Sequence, residues 1–244
     1  MQFSPKALSR RQVLQTAGIL GISAASLTSV TEADAAESGS PFSPQSGLVT
    51  RQLKPLKYEE IPGLLTKAQV APHYTAHYGG ALKRFVKLDE QIDGLLKGKE
   101  PLGGDAYTLM QKDKVNRMNS VLLHELYFDG LTAKPDEPKA DIRAALAQRF
   151  GSFDRWMEDF KMCCTAANGW GILARDIVNG QLYNVASDLH EVGVLWLGQP
   201  LVVCDVYEHA FYVDYQNRKA DYVGKFIQFL DWAEVNRRWQ AIAR

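Results

Sequence analysis

Five histidines, His73, His77, His124, His190 and His209, carry most of the chemistry this chain can offer. His124 lies in "NSVLLHELYF", on or beside an apolar helical stripe where a bare imidazole is costly unless it has a partner. The stretch "CDVYEHAFYVDY" (204–215) sets Asp205, Glu208 and His209 among large apolar side chains. A carboxylate in such surroundings needs a cation or several donors. His73 and His77 form an i, i+4 pair on one helix face. Three imidazoles and one carboxylate from three separate elements, His73, His124, His209 and Asp205, would suit a first-row metal ion. The spacing leaves a rival open, in which His73 and His77 chelate zinc with Asp205 or Glu208 as third ligand.

The elements that must position these groups follow from periodicity. Residues 64–96 have a helical stripe through Val70, Tyr74, His77, Leu82, Phe85, Leu88, Ile92 and Leu95, with Pro72 and Gly79-Gly80 marking a bend. Residues 107–131 predict a second long helix, which should pair with the first as a hairpin. After "TAKPDEPK" come two helices separated by Gly151-Ser152, with Ser152 a good N-cap. The period then changes to two in "WGILARD", "QLYNVAS" and "PLVVCDV", with "IVNG" as a hairpin turn. A closing helix is predicted over 221–243. The fold class is therefore α+β: a long N-terminal helical hairpin, then a C-terminal domain with a three-stranded antiparallel sheet surrounded by helices. The domain map reads 1–35 signal, 36–62 an extended segment leading into the fold, 63–134 hairpin, and 139–244 the α+β domain.

Residues 1–35 resemble a twin-arginine export signal: Arg10-Arg11, an apolar Gly/Ala-rich stretch, and a small-x-small cleavage site after Ala35. The expected location is thus periplasmic or extracellular. Of 28 basic and 28 acidic residues, 25 and 26 remain after Ala35, so nothing points to a nucleic-acid partner. No run of eighteen apolar residues is present, and no membrane span is expected in the mature chain. Cys163, Cys164 and Cys204 read as buried thiols.

"DVYEHAFYVDYQN" resembles the D-x-W-E-H-A-Y-Y signature of iron/manganese superoxide dismutases. "PHYTAHYGG", "LLHELYFDGL", "FGSFDRWMEDF", "NGWGILARD" and "YVGKFIQFLDWAEVNRRW" are similar to other stretches of that family, in order, from about residue 60 onward. The resemblance implies one iron or manganese ion per chain, held by His73, His124, Asp205 and His209. It implies superoxide as substrate and a homodimer, with Glu208 reaching across the interface. His77 and Tyr212 fall on positions that pair there and shape access. A metal-binding relative with little dismutase activity is the alternative.

Several positions depart from the family pattern. Tyr207 replaces the Trp of the signature, Ala81 stands where a gateway Tyr is expected, and Ser120 and Ala166 stand where the family supplies an outer-sphere Gln. A one-residue slip would bring Asn119 or Asn168 near instead. His190 matches nothing in the pattern and is expected at the surface.

Overall fold

The computed structural model describes residues 43–99 and 101–242, so the expected export signal lies outside the described residues. A short helix α1 (Gly47–Thr50) interrupts the segment expected to be extended. Thr66 then caps α2 (Lys67–Pro72), which runs through a π-helical turn (His73–Tyr78) into α3 (Gly79–Lys97). Pro72 brings no N–H to the i→i−4 ladder, and the wider turn begins at the next residue. Its consequence is a slip in the buried face. Burial passes from Val70 to His73 and then, five residues on, to Tyr78, leaving His77 exposed. The expected stripe through Tyr74 and His77 assumed an uninterrupted α-helix, and this insertion overturns it. α4 (Gly104–Asp129) returns alongside α3, and Tyr78, Ala81, Leu82, Phe85 and Val121 fill the space between them.

Gly151 (φ 93°) ends α5 (Ala140–Phe150), and the Ser152 side chain accepts from Arg155 N to start α6 (Phe153–Ala166). Three antiparallel strands follow, β1 (Trp170–Asp176), β2 (Leu182–Ser187) and β3 (Gly198–Asp205), in the order β2-β1-β3. Gly171 on β1 has a steric reason: a Cβ there would lie 2.2 Å from Cys164 Sγ, so only glycine lets α6 approach the sheet. The fold is α+β, as expected.

The closing helix is not continuous. α7 (Glu208–Tyr215) is followed by α8 (Lys219–Phe226), a 3-10 turn (Ile227–Phe229), and then α9 (Trp232–Ile242). Between α8 and α9 the chain is extended at Leu230 and bridges to Leu131, with Asp231 N donating to Gly130 O at 2.8 Å. Asp231 Oδ1 also accepts from Glu234 N at 2.9 Å. Asp231-x-x-Glu234 is thus a helix start that periodicity alone passes over. Arg238 of α9, fully buried, donates to Leu126 O of α4 and Leu201 O of β3, each at 3.0 Å, and to Glu234 Oε1 at 2.9 Å. One guanidinium thereby ties hairpin, sheet and last helix together. Besides the cluster between α3 and α4, a larger apolar core draws residues from Ile61 to Val235, on both sides of the 135–138 linker.

Candidate metal centre

Four side chains arrive at one point from four elements. His73 opens the π-helical turn, His124 comes from the C-terminal third of α4, Asp205 ends β3, and His209 is the second residue of α7. One ligand atom from each lies within 4.8 Å of all the others. The Nε2 atoms of His73, His209 and His124 stand 3.1, 3.4 and 3.7 Å from a single oxygen, Asp205 Oδ2. The other carboxylate oxygen, Oδ1, is committed: it accepts from Tyr207 N at 3.0 Å. The backbone is fixed as well, since Tyr222 donates its hydroxyl to Asp205 O at 2.9 Å and pairs with the Tyr127 hydroxyl at 3.1 Å.

His73, His124 and Asp205 are buried, and His209 is nearly so. His124 Nδ1 lies 2.7 Å from Ser120 O, and a carbonyl can only accept. Nδ1 therefore carries the proton and Nε2 presents a lone pair. Both His124 Nε2 and His209 Nε2 are buried without a hydrogen-bond partner among the described residues. Burial pushes the His124 imidazole down to about 3 and that of His73 below its ordinary value, so both stay neutral. Burial also disfavours the Asp205 carboxylate, but the close approach of His209 and His73 outweighs it and holds the carboxyl well below its usual range. The Nε2 lone pair of His124 set against an anionic oxygen is repelled unless a cation lies between them. Donors about 2.0–2.2 Å from a shared ion stand about 3 to 4 Å apart, as each Nε2 does from Asp205 Oδ2. The residues present fit an N3O-bound transition metal.

The rival zinc pair does not form. His77 is outside the converging group and stacks on His209 instead, ring centroids 3.9 Å apart and 12° from parallel. Glu208 is exposed. The α7 stretch that reads as core from its composition in fact leaves one side open, with Glu208, Tyr212 and Val213 all exposed. Glu208, Tyr212 and His209 share the lining of an open cleft of about 620 Å3.

Two supports were missed by sequence reasoning. Gln69, 1% exposed, donates to His209 O at 2.6 Å and accepts from Val213 N at 2.9 Å, fixing α7 to α2. Its place one turn before His73 was the available signal. His190 is the second, and its expected surface position is corrected. It is half-buried, with its ring centroid 5.4 Å from Tyr207, 5.8 Å from Trp170 and 6.3 Å from His124. The physical reason is the buried Trp170 indole, which needs an acceptor and donates to His190 Nδ1 at 3.1 Å. Ser187 helps turn the intervening loop by donating to Leu189 O and Val192 O. Of the expected stand-ins, Asn168 spends its backbone and side-chain N–H groups on Asp188 Oδ1, both at 3.0 Å. Asn119 lines a cavity of about 250 Å3 that His190 also lines.

Residues 138–238 match the family described as iron/manganese superoxide dismutases, C-terminal domain. The chain is 31% identical over 189 residues to a superoxide dismutase [Fe] of Aquifex pyrophilus, covering 76% of this chain and 88% of that protein. It is 28% identical over 187 residues to superoxide dismutase [Mn] 2 of Haloferax volcanii, covering 76% and 92%. Against a superoxide dismutase [Fe] of Cupriavidus metallidurans it is 31% identical over 200 residues, covering 79% and 98%. Fold, converging donors and these likenesses agree: the chain belongs to the iron/manganese superoxide dismutase family.

Proposed function

We propose that the protein is a superoxide dismutase, with one iron or manganese ion per chain held by His73, His124, Asp205 and His209. The observation that carries this reading is the convergence of three imidazole Nε2 atoms on Asp205 Oδ2 at 3.1, 3.4 and 3.7 Å. By alternating between two oxidation states, the ion supplies the redox chemistry that turns two superoxide anions and two protons into dioxygen and hydrogen peroxide. The chain's own task is to fix the donors, keep water ordered and exclude competing ligands. Asp205 contributes the one anionic donor and thereby lowers the potential of whatever ion is held. Tyr127, Phe128 and Trp170 wall the group with apolar rings, at centroid distances of 5.3 and 4.9 Å from His73 and 5.2 Å from His124 respectively. Relatives named for iron and for manganese both support the metal class, and neither metal is favoured over the other.

Two further elements complete the reading. A homodimer through the exposed Glu208, Tyr212 and His77 is supported by their clustering beside His209, with the Glu208 side chain facing an open cleft. Export through the twin-arginine pathway is supported by residues 1–35 of the sequence. A dismutation assay on purified, metal-loaded protein tests the activity. Metal-dependent consumption of superoxide supports the reading, and a fully loaded protein without it leaves a metal-binding relative that is not a dismutase.

A further inference from the structure

The three cysteines take no part in the metal centre and are free thiols in this structure. Two of them meet where α6 crosses the sheet. Cys164 and Cys204 are fully buried, whereas Cys163 is half-buried. Gly171 sets the contact. A Cβ there would lie 2.2 Å from Cys164 Sγ, so the sulfur occupies the space that a side chain at 171 would fill. Gly171 in turn pairs with Cys204 across the β1–β3 ladder. Residues directly opposite in an antiparallel pair point to the same face, with Cβ positions about 4.5–5.5 Å apart. Cys164 Sγ is therefore held beside the Cys204 side chain on the α6 face of the sheet, and the two thiols interact with each other. Cys204 Sγ lies 3.9 Å from Asp205 O, so the pair backs onto the strand end that carries Asp205. Cys163 projects about 100° away around the helix, and a bridge between sequence neighbours is strained. The open cleft lined by Glu208 and His209 reaches the same end of α6. Lys219 on its wall donates to the carbonyl of Thr165, the residue after Cys164, at 3.3 Å.

We propose that Cys164 and Cys204 are an oxidisable pair that hydrogen peroxide converts into a disulfide, joining α6 to β3 just before Asp205. One sulfur attacks a peroxide oxygen, the O–O bond breaks, and a sulfenic acid and one water form. The second sulfur displaces the sulfenic oxygen as another water and closes the S–S bond. The two thiols give up two electrons and two protons, and one peroxide becomes two waters. Burial holds the Cys204 thiol protonated, so the reaction is slow, while the neighbouring sulfur intercepts the sulfenic acid before it is oxidised further. The bridge closes the loop from 164 to 204 and stabilises the fold by restricting the unfolded chain. Peroxide is the product of the proposed activity, but the bridge asks only that peroxide be present. The inference therefore stands apart from the metal reading.

The test treats the purified protein, with the metal it carries, with dilute hydrogen peroxide added in steps over hours. Remaining thiols are blocked with N-ethylmaleimide in acidic denaturant, and unreduced digests are read by mass spectrometry. Blockable thiols should fall from three to one, with Cys163 the one left and a peptide linking Cys164 to Cys204. Cys163→Ala should bridge as the parent does, while Cys164→Ala and Cys204→Ala should each form no intramolecular bridge. The bridged parent should also unfold at a higher denaturant concentration than the same sample after reduction. Three blockable thiols in a treated parent that stays folded would overturn the proposal, leaving Cys164 as a small apolar side chain fitted to Gly171. Sulfinic or sulfonic acid at either residue without a link, or a bridge through Cys163, would equally overturn it. A parent that bridges but does not dismutate would defeat the functional reading alone. A dismutase that keeps three free thiols would defeat this proposal alone.

Discussion

His124 donates its Nδ1 proton to Ser120 O at 2.7 Å, one helical turn earlier, and so turns a bare Nε2 lone pair toward Asp205. Burial holds that imidazole at about 3, against an ordinary 6.5. In the metal-free protein, protons therefore bind the unfolded chain more tightly than the folded one over this interval, and stability must rise with pH. His124 alone should contribute on the order of 5 kcal/mol of destabilisation as pH falls from about 6.5 to about 3. The depressed Asp205 adds a loss of the same sign at still lower pH. Urea midpoints of the metal-free protein should thus drop steadily below pH 6.5, and a flat profile from 6.5 to 4 would contradict the buried, neutral imidazole.

Asp205→Asn keeps the volume and the hydrogen bond to Tyr207 N but removes the only anionic donor. Loss of an outer partner typically costs 10–100-fold in metal affinity, so loss of this donor should cost more than about 100-fold. Competition with a chelator would measure it, with circular dichroism to confirm that the fold survives.

Glu208→Ala should shift the protein toward monomer and loosen the ion, because the exposed carboxylate sits one residue from His209. Light scattering checks the mass. Unchanged mass together with unchanged metal content would remove Glu208 from any interface.

Arg238→Met should lower stability by about 3–5 kcal/mol, since it strands Leu126 O and Leu201 O in the interior and leaves the Glu234 carboxylate with Arg237 alone. Denaturant unfolding reads the loss. Metal content at low temperature should be near normal, because Arg238 touches none of the four ligands.

Much of this architecture was legible because it repeats locally. Period two in "WGILARD" located β1 to the residue, and Ser152 marked the start of α6. The His124 and Asp205 environments could be read from polar groups set in apolar runs. What escaped had tertiary causes. The π-helical turn after Pro72 shifts the buried face by one residue, so His77 leaves the stripe and Tyr78 enters it. The α8–α9 break is imposed by the Leu131–Leu230 bridge, which competes with a continuous helix. His190 was invisible because its reason for turning inward, the buried Trp170 N–H, lies 20 residues away on β1.

The proposed function requires His73, His124, Asp205 and His209 to hold one redox-active ion jointly. Elemental analysis of the purified protein beside His124→Ala tests it most directly. The expected result is about one iron or manganese per parent chain, and almost none in a variant that is still folded. A parent carrying only zinc, or a His124→Ala variant with full iron or manganese, would contradict it.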